Sequence, residues 1–244
     1  MVSKYSTPAL EKGLDILELL SEVTSGLTQK EIANALEKKP SEIFRMIVCL
    51  EERSYIKMIS GSERYQLTLK MFDLANRQSP VKKLVESALP IMNQLASDTN
   101  QSCHVAAYNS DQIIVVAQVD SPHVFNFSVR IGTKIDALNG SSGTMLLAFS
   151  DQEKRKLVLK TVDAEQTALL NKVAVEGICL NPSTIVKGVT NLSCPIFDNY
   201  GDIIAALTIP YIDKSDDNIV DLNEAIRQLK RSAQAVSKQM GSGC

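Results

Sequence analysis

The 244-residue chain has no tryptophan and only two histidines, His104 and His123. That supply leaves it poorly equipped for a multi-histidine metal centre. Its five cysteines, Cys49, Cys103, Cys179, Cys194 and Cys244, include no Cys-x-x-Cys pair. Zinc-finger spacing is therefore missing, and the scattered, odd-numbered set reads as reduced thiols, mostly buried as small hydrophobes. No apolar run approaches the roughly 20 residues needed to span a bilayer, and no leader-type stretch opens the chain. The expectation is a cytoplasmic protein with no membrane partner, no metal and no cofactor. An excess of positive charge is also missing: 26 basic residues face 28 acidic ones, a net charge of -2. A nucleic-acid role must then rest on a local patch, not on a global basic field.

What is present is an ordinary globular composition, 44% hydrophobic and 22% charged, in a chain long enough for two domains. Thr7-Pro8 opens a first helix, with Thr as cap and Pro at the first helical position. Leu10, Leu14, Ile16, Leu17, Leu20 and Val23 carry that helix to about Thr24. The stretch from Leu27 to Leu69 then reads as a winged helix-turn-helix. Thr28 is followed three residues later by Glu31, the capping-box spacing. Pro40 suits the first turn of a second helix, in which Ile43, Met46, Ile47 and Leu50 form one inward stripe. The opposite face carries Ser41, Arg45, Val48 and Glu52, flanked by Glu42 and Phe44. Ser and Arg near a helix start are what a major-groove reader needs, because Arg can bond two acceptors of guanine at once. Tyr55 to Ile59 and Arg64 to Leu69 alternate around a Gly-containing turn and read as the hairpin wing. The DNA-contact candidates are Thr28, Lys39, Ser41, Glu42, Phe44 and Arg45, with Lys57 and Arg64 reaching phosphate or the minor groove from the wing. Between Lys38 and Arg64 six basic residues outnumber four acidic ones. So small an excess points to a modest reader whose affinity comes from several copies. A structural helical subdomain with a hairpin is the alternative.

A short helix from Leu69 to Asn76 and the linker Arg77-Gln78-Ser79-Pro80 close this part. The domains are expected at 1–77 and 78–244. In the second, Leu84, Ala88, Ile91, Met92 and Leu95 mark a helix. Strands are expected at Cys103–Tyr108, Ile113–Val119, Phe125–Val129, Val189–Phe197 and Ile203–Ile209. The stretch Leu138 to Phe149 reads as a small polar loop running into an apolar helix. Charged helical stretches follow at about Asp151–Lys160 and Ala164–Glu176, and a last helix runs from about Asn218 to Met240. Strands in hairpin-linked groups with helices between them give an α+β domain on an antiparallel sheet. Ser141-Ser142-Gly143 at a helix start offers free amides and two hydroxyls to a carboxylate or phosphate, or else one serine simply caps the helix.

Taken in order, several segments resemble the IclR-type transcriptional regulators. These are Ala9 to Leu17, Leu27 to Ala33, Arg45 to Ile56, Gly143 to Ala148, Cys194 to Asp198 and Gly201 to Thr208. The resemblance implies a winged helix followed by a GAF-like effector-binding domain. It also implies assembly as a homodimer or homotetramer on double-stranded operator DNA, repression as the mode of action, and a small carboxylate or sugar-acid metabolite as effector. Carried over by position, the effector-site residues are Ser141, Ser142, Asn181, Asn191 and Thr208. Asn181 stands where the family often has Asp, Asn191 where it often has Cys, and Thr144 where it has Lys. A pocket richer in neutral hydrogen-bonding groups suits a hydroxylated ligand.

Two other readings compete. A metal- or thiol-responsive regulator would bring Cys103, His104 and Cys194 together. A small-molecule enzyme would pair a serine with a histidine, but Gly140-Ser141-Ser142-Gly143-Thr144 is not the Gly-x-Ser-x-Gly elbow. On an apolar strand, His104 reads as a satisfied structural residue.

Overall fold

The structure, a computed structural model, describes residues 7–77, 80–124, 126–159, 163–184, 186–213 and 219–243. The chain divides into two compact units, Met1–Ser79 and Pro80–Cys244. Gln78 and Ser79, the middle of the expected linker, lie outside the described residues, as do Phe125 and Asn218.

The first unit runs α1 (Pro8–Ser21), β1 (Leu27–Thr28), α2 (Gln29–Ala35), α3 (Pro40–Glu52), β2 (Ile56–Met58), β3 (Arg64–Leu67) and α4 (Lys70–Arg77). Its core is Ile16 and Leu20 of α1, Ile32 and Ala33 of α2, Ile43 and Ile47 of α3, and Ile56 of β2. The expected stripe on α3 thus packs inward, with Met46 and Leu50 at its margins. Pro40 occupies the first turn of α3. Thr28 caps α2 as its spacing predicts: its hydroxyl accepts from the Glu31 amide at 3.2 Å, and its own amide donates to Glu31 Oε2 at 2.8 Å. Thr7 departs from expectation. Its side chain makes no cap, and its amide donates to Glu11 Oε1 instead. The wing is a three-stranded antiparallel sheet ordered β1-β3-β2.

The second unit runs α5 (Pro80–Thr99), β4 (Cys103–Asn109), β5 (Gln112–Val119), β6 (Lys134–Ile135), α6 (Ser141–Phe149), α7 (Gln152–Val158), α8 (Ala164–Glu176), β7 (Cys179–Pro182), β8 (Val189–Phe197), β9 (Ile203–Ile212) and α9 (Leu222–Gln239). Its sheet is antiparallel, in the order β6-β5-β4-β9-β8-β7. Alternation along the strands splits the side chains between two layers. Cys103, Val105, Ala107, Cys194, Leu207 and Ile209 face α5 and α9. Ala106, Ala206 and Cys179 face α6 and α8. The second unit is therefore an α+β domain with helices on both faces of a curled antiparallel sheet.

The strand expected at Phe125–Val129 is not formed among the described residues 126–129. Side chains hold this segment in place of a ladder. The Ser102 hydroxyl donates to the Phe127 carbonyl, and the Val129 amide donates to Gln118 Oε1. The same layering corrects the metal reading. Cys103 and Cys194 lie on one face of the sheet, whereas His104, one residue on from Cys103, is on the other.

Candidate effector cleft and DNA-reading face

In the second unit, a cleft of about 180 Å³ opens where α6 meets the sheet. That is a space on the scale of a small ligand. Gly140 precedes α6 and offers no capping side chain. Its own amide is bonded to the Asp136 carbonyl, and the first intrahelical bond is Thr144 N–H to the Gly140 carbonyl. The amides of Ser141, Ser142 and Gly143 are therefore first-turn donors with no intrahelical acceptor, and they sit at the positive end of the helix dipole.

Ser141, Ser142, Asn191 and Thr208, four of the expected contact residues, all line this cleft. The β8–β9 and β4–β9 registers explain how distant residues meet: Thr208 is opposite Ser193 on one side and His104 on the other. Asn181 is the exception. It does not line the cleft, and its side-chain amide donates to the Asn139 carbonyl at 2.9 Å, so it braces the cleft's rim. Ser183 and Thr184, further along the same segment, are among the lining residues instead. Thr144, where the resemblance expects Lys, shares its hydroxyl proton between the Leu138 and Gly140 carbonyls, each at 3.1 Å. It ties the loop to the helix and adds no charge.

The floor is polar and buried. The Ser193 hydroxyl donates to Ser141 Oγ at 2.8 Å and lies 2.6 Å from Thr208 Oγ1. Thr208 Oγ1 is 2.8 Å from Ser142 Oγ, which is 3.4 Å from His104 Nε2. His104 is 3% exposed, and burial pulls its pKa down to about 4. Its Nδ1 is buried without a hydrogen-bond partner. The reading of His104 as a satisfied structural residue is thus corrected. It is structural in burial, unsatisfied at one nitrogen, and part of the cleft. The pairing with Ser142 lacks the third group that orients the histidine of a hydrolytic triad. Charged groups stay at the rim, as Lys134 and Asp136. The Asp136 carboxylate is held below its usual pKa range, first by the Asn139 backbone N–H at 2.7 Å and then by that of Leu138.

In the first unit, Lys39, Ser41, Glu42, Phe44 and Arg45 are all exposed at the start of α3, Phe44 by 52%. Lys57 is exposed on the wing. Three expected DNA contacts have work inside the domain. Thr28 is spent in its capping box. Glu42 accepts from Lys12 Nζ at 3.0 Å and from the Lys39 amide at 3.3 Å, which locks α1 to the start of α3. Arg64, expected to hold phosphate, donates to the Gly26 carbonyl and to Glu31 Oε1, both at 2.9 Å. It clamps β3 to the start of α2. Arg64→Ala is accordingly expected to lower the melting temperature of the first unit. Lys57→Ala is expected to leave melting unchanged and to reduce the salt dependence of DNA binding by about one phosphate contact. Melting curves and salt-titrated operator binding separate the two roles.

Residues 80–238 match the family model of the bacterial transcriptional regulator IclR C-terminal domain, and residues 9–58 match that of the IclR helix-turn-helix domain. The HTH-type transcriptional regulator KdgR of Dickeya chrysanthemi is 28% identical over 251 residues, spanning 97% of this chain and 81% of that protein. KdgR of Escherichia coli K12 is 27% identical, over 97% of this chain and 94% of that protein. Among solved structures, an IclR homologue from Microbacterium hydrocarbonoxydans complexed with 4-hydroxybenzoate matches with a TM-score of 0.80. Its identity is 19%, over 95% of this chain and 98% of that one. No helix among the described residues is long and apolar enough to cross a membrane. The chain belongs to the IclR family of bacterial transcriptional regulators, with a DNA-binding helix-turn-helix domain and an effector-binding C-terminal domain.

Proposed function

We propose that this regulator is a repressor whose operator affinity is set by a small hydroxylated carboxylate bound in the cleft of its second unit. The observation that carries this reading is the cleft itself. The first-turn amides of Ser141 and Ser142, which line the cleft, favour an anion, and the surrounding hydroxyls and Asn191 offer neutral hydrogen bonds to the rest of a small ligand. A solved fold neighbour holds 4-hydroxybenzoate, a carboxylate that also carries a hydroxyl. The test is a thermal-shift screen of small carboxylates and sugar acids, followed by operator binding with the best hit. A ligand moves operator affinity only if it binds the two states of the protein differently. A hit that stabilises the protein but leaves DNA affinity unchanged would sink the coupling.

Ser41 and Arg45 on the outward face of α3 are the proposed base readers. Arg45→Ala is expected to cost about 1–3 kcal/mol at a single base step while salt-dependent background binding persists. Operator variants compared by fluorescence anisotropy check this, and equal binding by wild type and variant at every base step would refute the assignment.

Two copies would be held together, in this reading, by the apolar cleft of the first unit. It measures about 610 Å³ and is lined by Leu10 and Leu14 of α1, Met46 and Leu50 of α3, and Met71 and Leu74 of α4. Leu10 is 60% exposed and Leu14 48%. A second copy is the occupant that suits a reader with so small a basic excess, because linked readers gain affinity without new contacts. Leu14→Glu is expected to weaken operator binding about a hundredfold while leaving a single half-site's background affinity in place. Sedimentation and half-site titration measure both.

A further inference from the structure

A separate cavity of about 310 Å³ lies in the second unit where β8 loses its outer neighbour. β7 begins at Cys179, opposite Ser193, and pairs with β8 only from there to Thr190. From Cys194 to Phe197 no strand among the described residues covers the outer edge of β8. A further strand would find no donors there. Pro195 has no N–H, and the Phe197 amide already donates to the Ser237 hydroxyl of α9 at 3.0 Å. What remains beside this edge is a space on the scale of a small ligand.

The walls are apolar and the lining carries one cation. Phe149, at the end of α6, meets Phe197 edge to face, with ring centroids 5.2 Å apart and planes at 79°. Phe149, Phe197 and Pro195 line the cavity and are only partly buried, so a ligand can reach them. Lys230 of α9 lines it as well. Its ammonium donates to the Glu176 carbonyl at the end of α8, at 3.3 Å, which occupies one of its three protons. Lys230 makes no ion pair among the described residues. The Glu176 carboxylate is instead drawn to Lys172 of its own helix, at 3.9 Å. The Lys230 charge is felt at the cavity floor. Burial pushes the Cys194 thiol up to about 12, and Lys230 is a weaker influence that pulls it down.

We propose that this cavity is a second ligand site, for a small aromatic carboxylate, with the carboxylate on Lys230 and the ring against Phe149 and Phe197. The carboxylate takes the ammonium protons that Glu176 leaves free, in a charge-assisted bond. A third ring extends an aromatic pair that is already set edge to face. The site is distinct from the cleft at the start of α6, although α6 and β8 reach both. Ser142 and Asn191 line the cleft, whereas Phe149 and Pro195 line the cavity. The inference does not depend on what the cleft binds.

Two measurements on the full-length protein test this. Calorimetry with benzoate, acetate and benzyl alcohol separates the ring from the charge. Wild type should bind benzoate about tenfold or more tightly than either of the others. Lys230→Met should bind benzoate no better than benzyl alcohol, and Lys230→Arg should keep most of the wild-type affinity. Equal benzoate affinity in wild type and Lys230→Met would overturn the inference, as would a wild type that binds no benzoate. The second measurement is NMR of alanine-methyl-labelled wild type, which stands even if a Lys230 variant misfolds. The Ala233 methyl lines the cavity and should shift as benzoate is added. Shifts confined to Ala137, beside the start of α6, would place benzoate in the cleft. That result would overturn this inference and leave the effector site standing.

Discussion

Lowering the pH from 7 to 4 is expected to remove about 3 kcal/mol of folding stability from the second unit through His104 alone. The folded-state pKa is near 4 and the ordinary value is 6.5, because burial disfavours the imidazolium. Between those values the unfolded chain takes up a proton at this position and the folded chain does not. Acid therefore favours unfolding. The stabilisation is fully present above pH 6.5, is lost progressively as pH falls, and is gone below pH 4. Carboxylates held low by local amides, such as Asp136 and Glu31, begin to lose their contribution only at the acid end of this window and go on losing it below pH 4. Urea denaturation followed by circular dichroism, at fixed protein concentration, measures the slope. With no tryptophan in the chain, dichroism is the practical probe. His104→Phe should flatten the limb between pH 6.5 and pH 4. Parallel limbs in wild type and variant would show that another group is responsible.

The burial that gives this pH dependence also hid the residue's role in the sequence. Nothing in Cys103-His104-Val105 distinguishes a satisfied histidine from one with an unpaired nitrogen beside a cleft. Its neighbours Ser142 and Thr208 come from α6 and β9, 38 and 104 residues further along. Only the β4–β9 register brings Thr208 opposite it. Signals that act within one turn of chain were legible: the Thr28–Glu31 box, Pro40 at the start of α3, and the stripe through Ile43 and Ile47. The serines of α6 were legible from their place at a helix start as well as from family resemblance, and Asn191 from resemblance alone.

Short and edge elements were not legible, and the reasons are tertiary. β1 is two residues long and exists because Gly26, at φ +67°, lets the chain pass beside β3. A Cβ there would lie 2.6 Å from the Tyr65 carbonyl oxygen. β7 ends on Pro182, tolerable because β7 is an edge strand. β9 runs on to Ile212 past Pro210, although a proline inside a run argues against a central strand. Pro210 lies beyond the end of the β4 pairing, so no ladder bond to β4 is lost. The Gln101 side chain takes over there. Its amide nitrogen donates to the Ile212 carbonyl, and its oxygen accepts from the Ile212 amide, as a strand residue's backbone would. The stretch 126–129 shows the converse. Its alternation is real, but Ser102 and Gln118 hold it by side-chain bonds and no ladder forms.

Gly143→Ala is expected to destabilise the second unit by about 3 kcal/mol and to abolish effector binding. Helix propensity alone predicts the opposite sign. Gly143 lies inside α6, and alanine there would gain up to about 1 kcal/mol. Sterics decide the matter. A Cβ at this position would lie 2.4 Å from the Asp136 carbonyl oxygen, 2.6 Å from Ala137 Cα and 2.7 Å from the Ala137 carbonyl oxygen. All three are backbone atoms, so no side chain can swing aside to make room. Either α6 retreats from the sheet or the segment around Asp136 moves. The first opens the core around Met145 and Leu146, which are fully buried. The second displaces the Asp136 carboxylate, which organises the Leu138 and Asn139 amides at the cleft's rim. Both routes pull the start of α6 out of register with Ser193 and Thr208 and so deform the cleft that these residues line. Gly177→Ala is the control. It ends α8 at φ +63° with nothing within 4 Å of the added Cβ. It should cost about 1 kcal/mol of backbone strain and leave binding intact. Urea denaturation of both variants, with calorimetry against the acid preferred by wild type, measures the contrast. A Gly143→Ala protein as stable as wild type that binds the same acid would show that α6 and the cleft are not packed as tightly as these distances require.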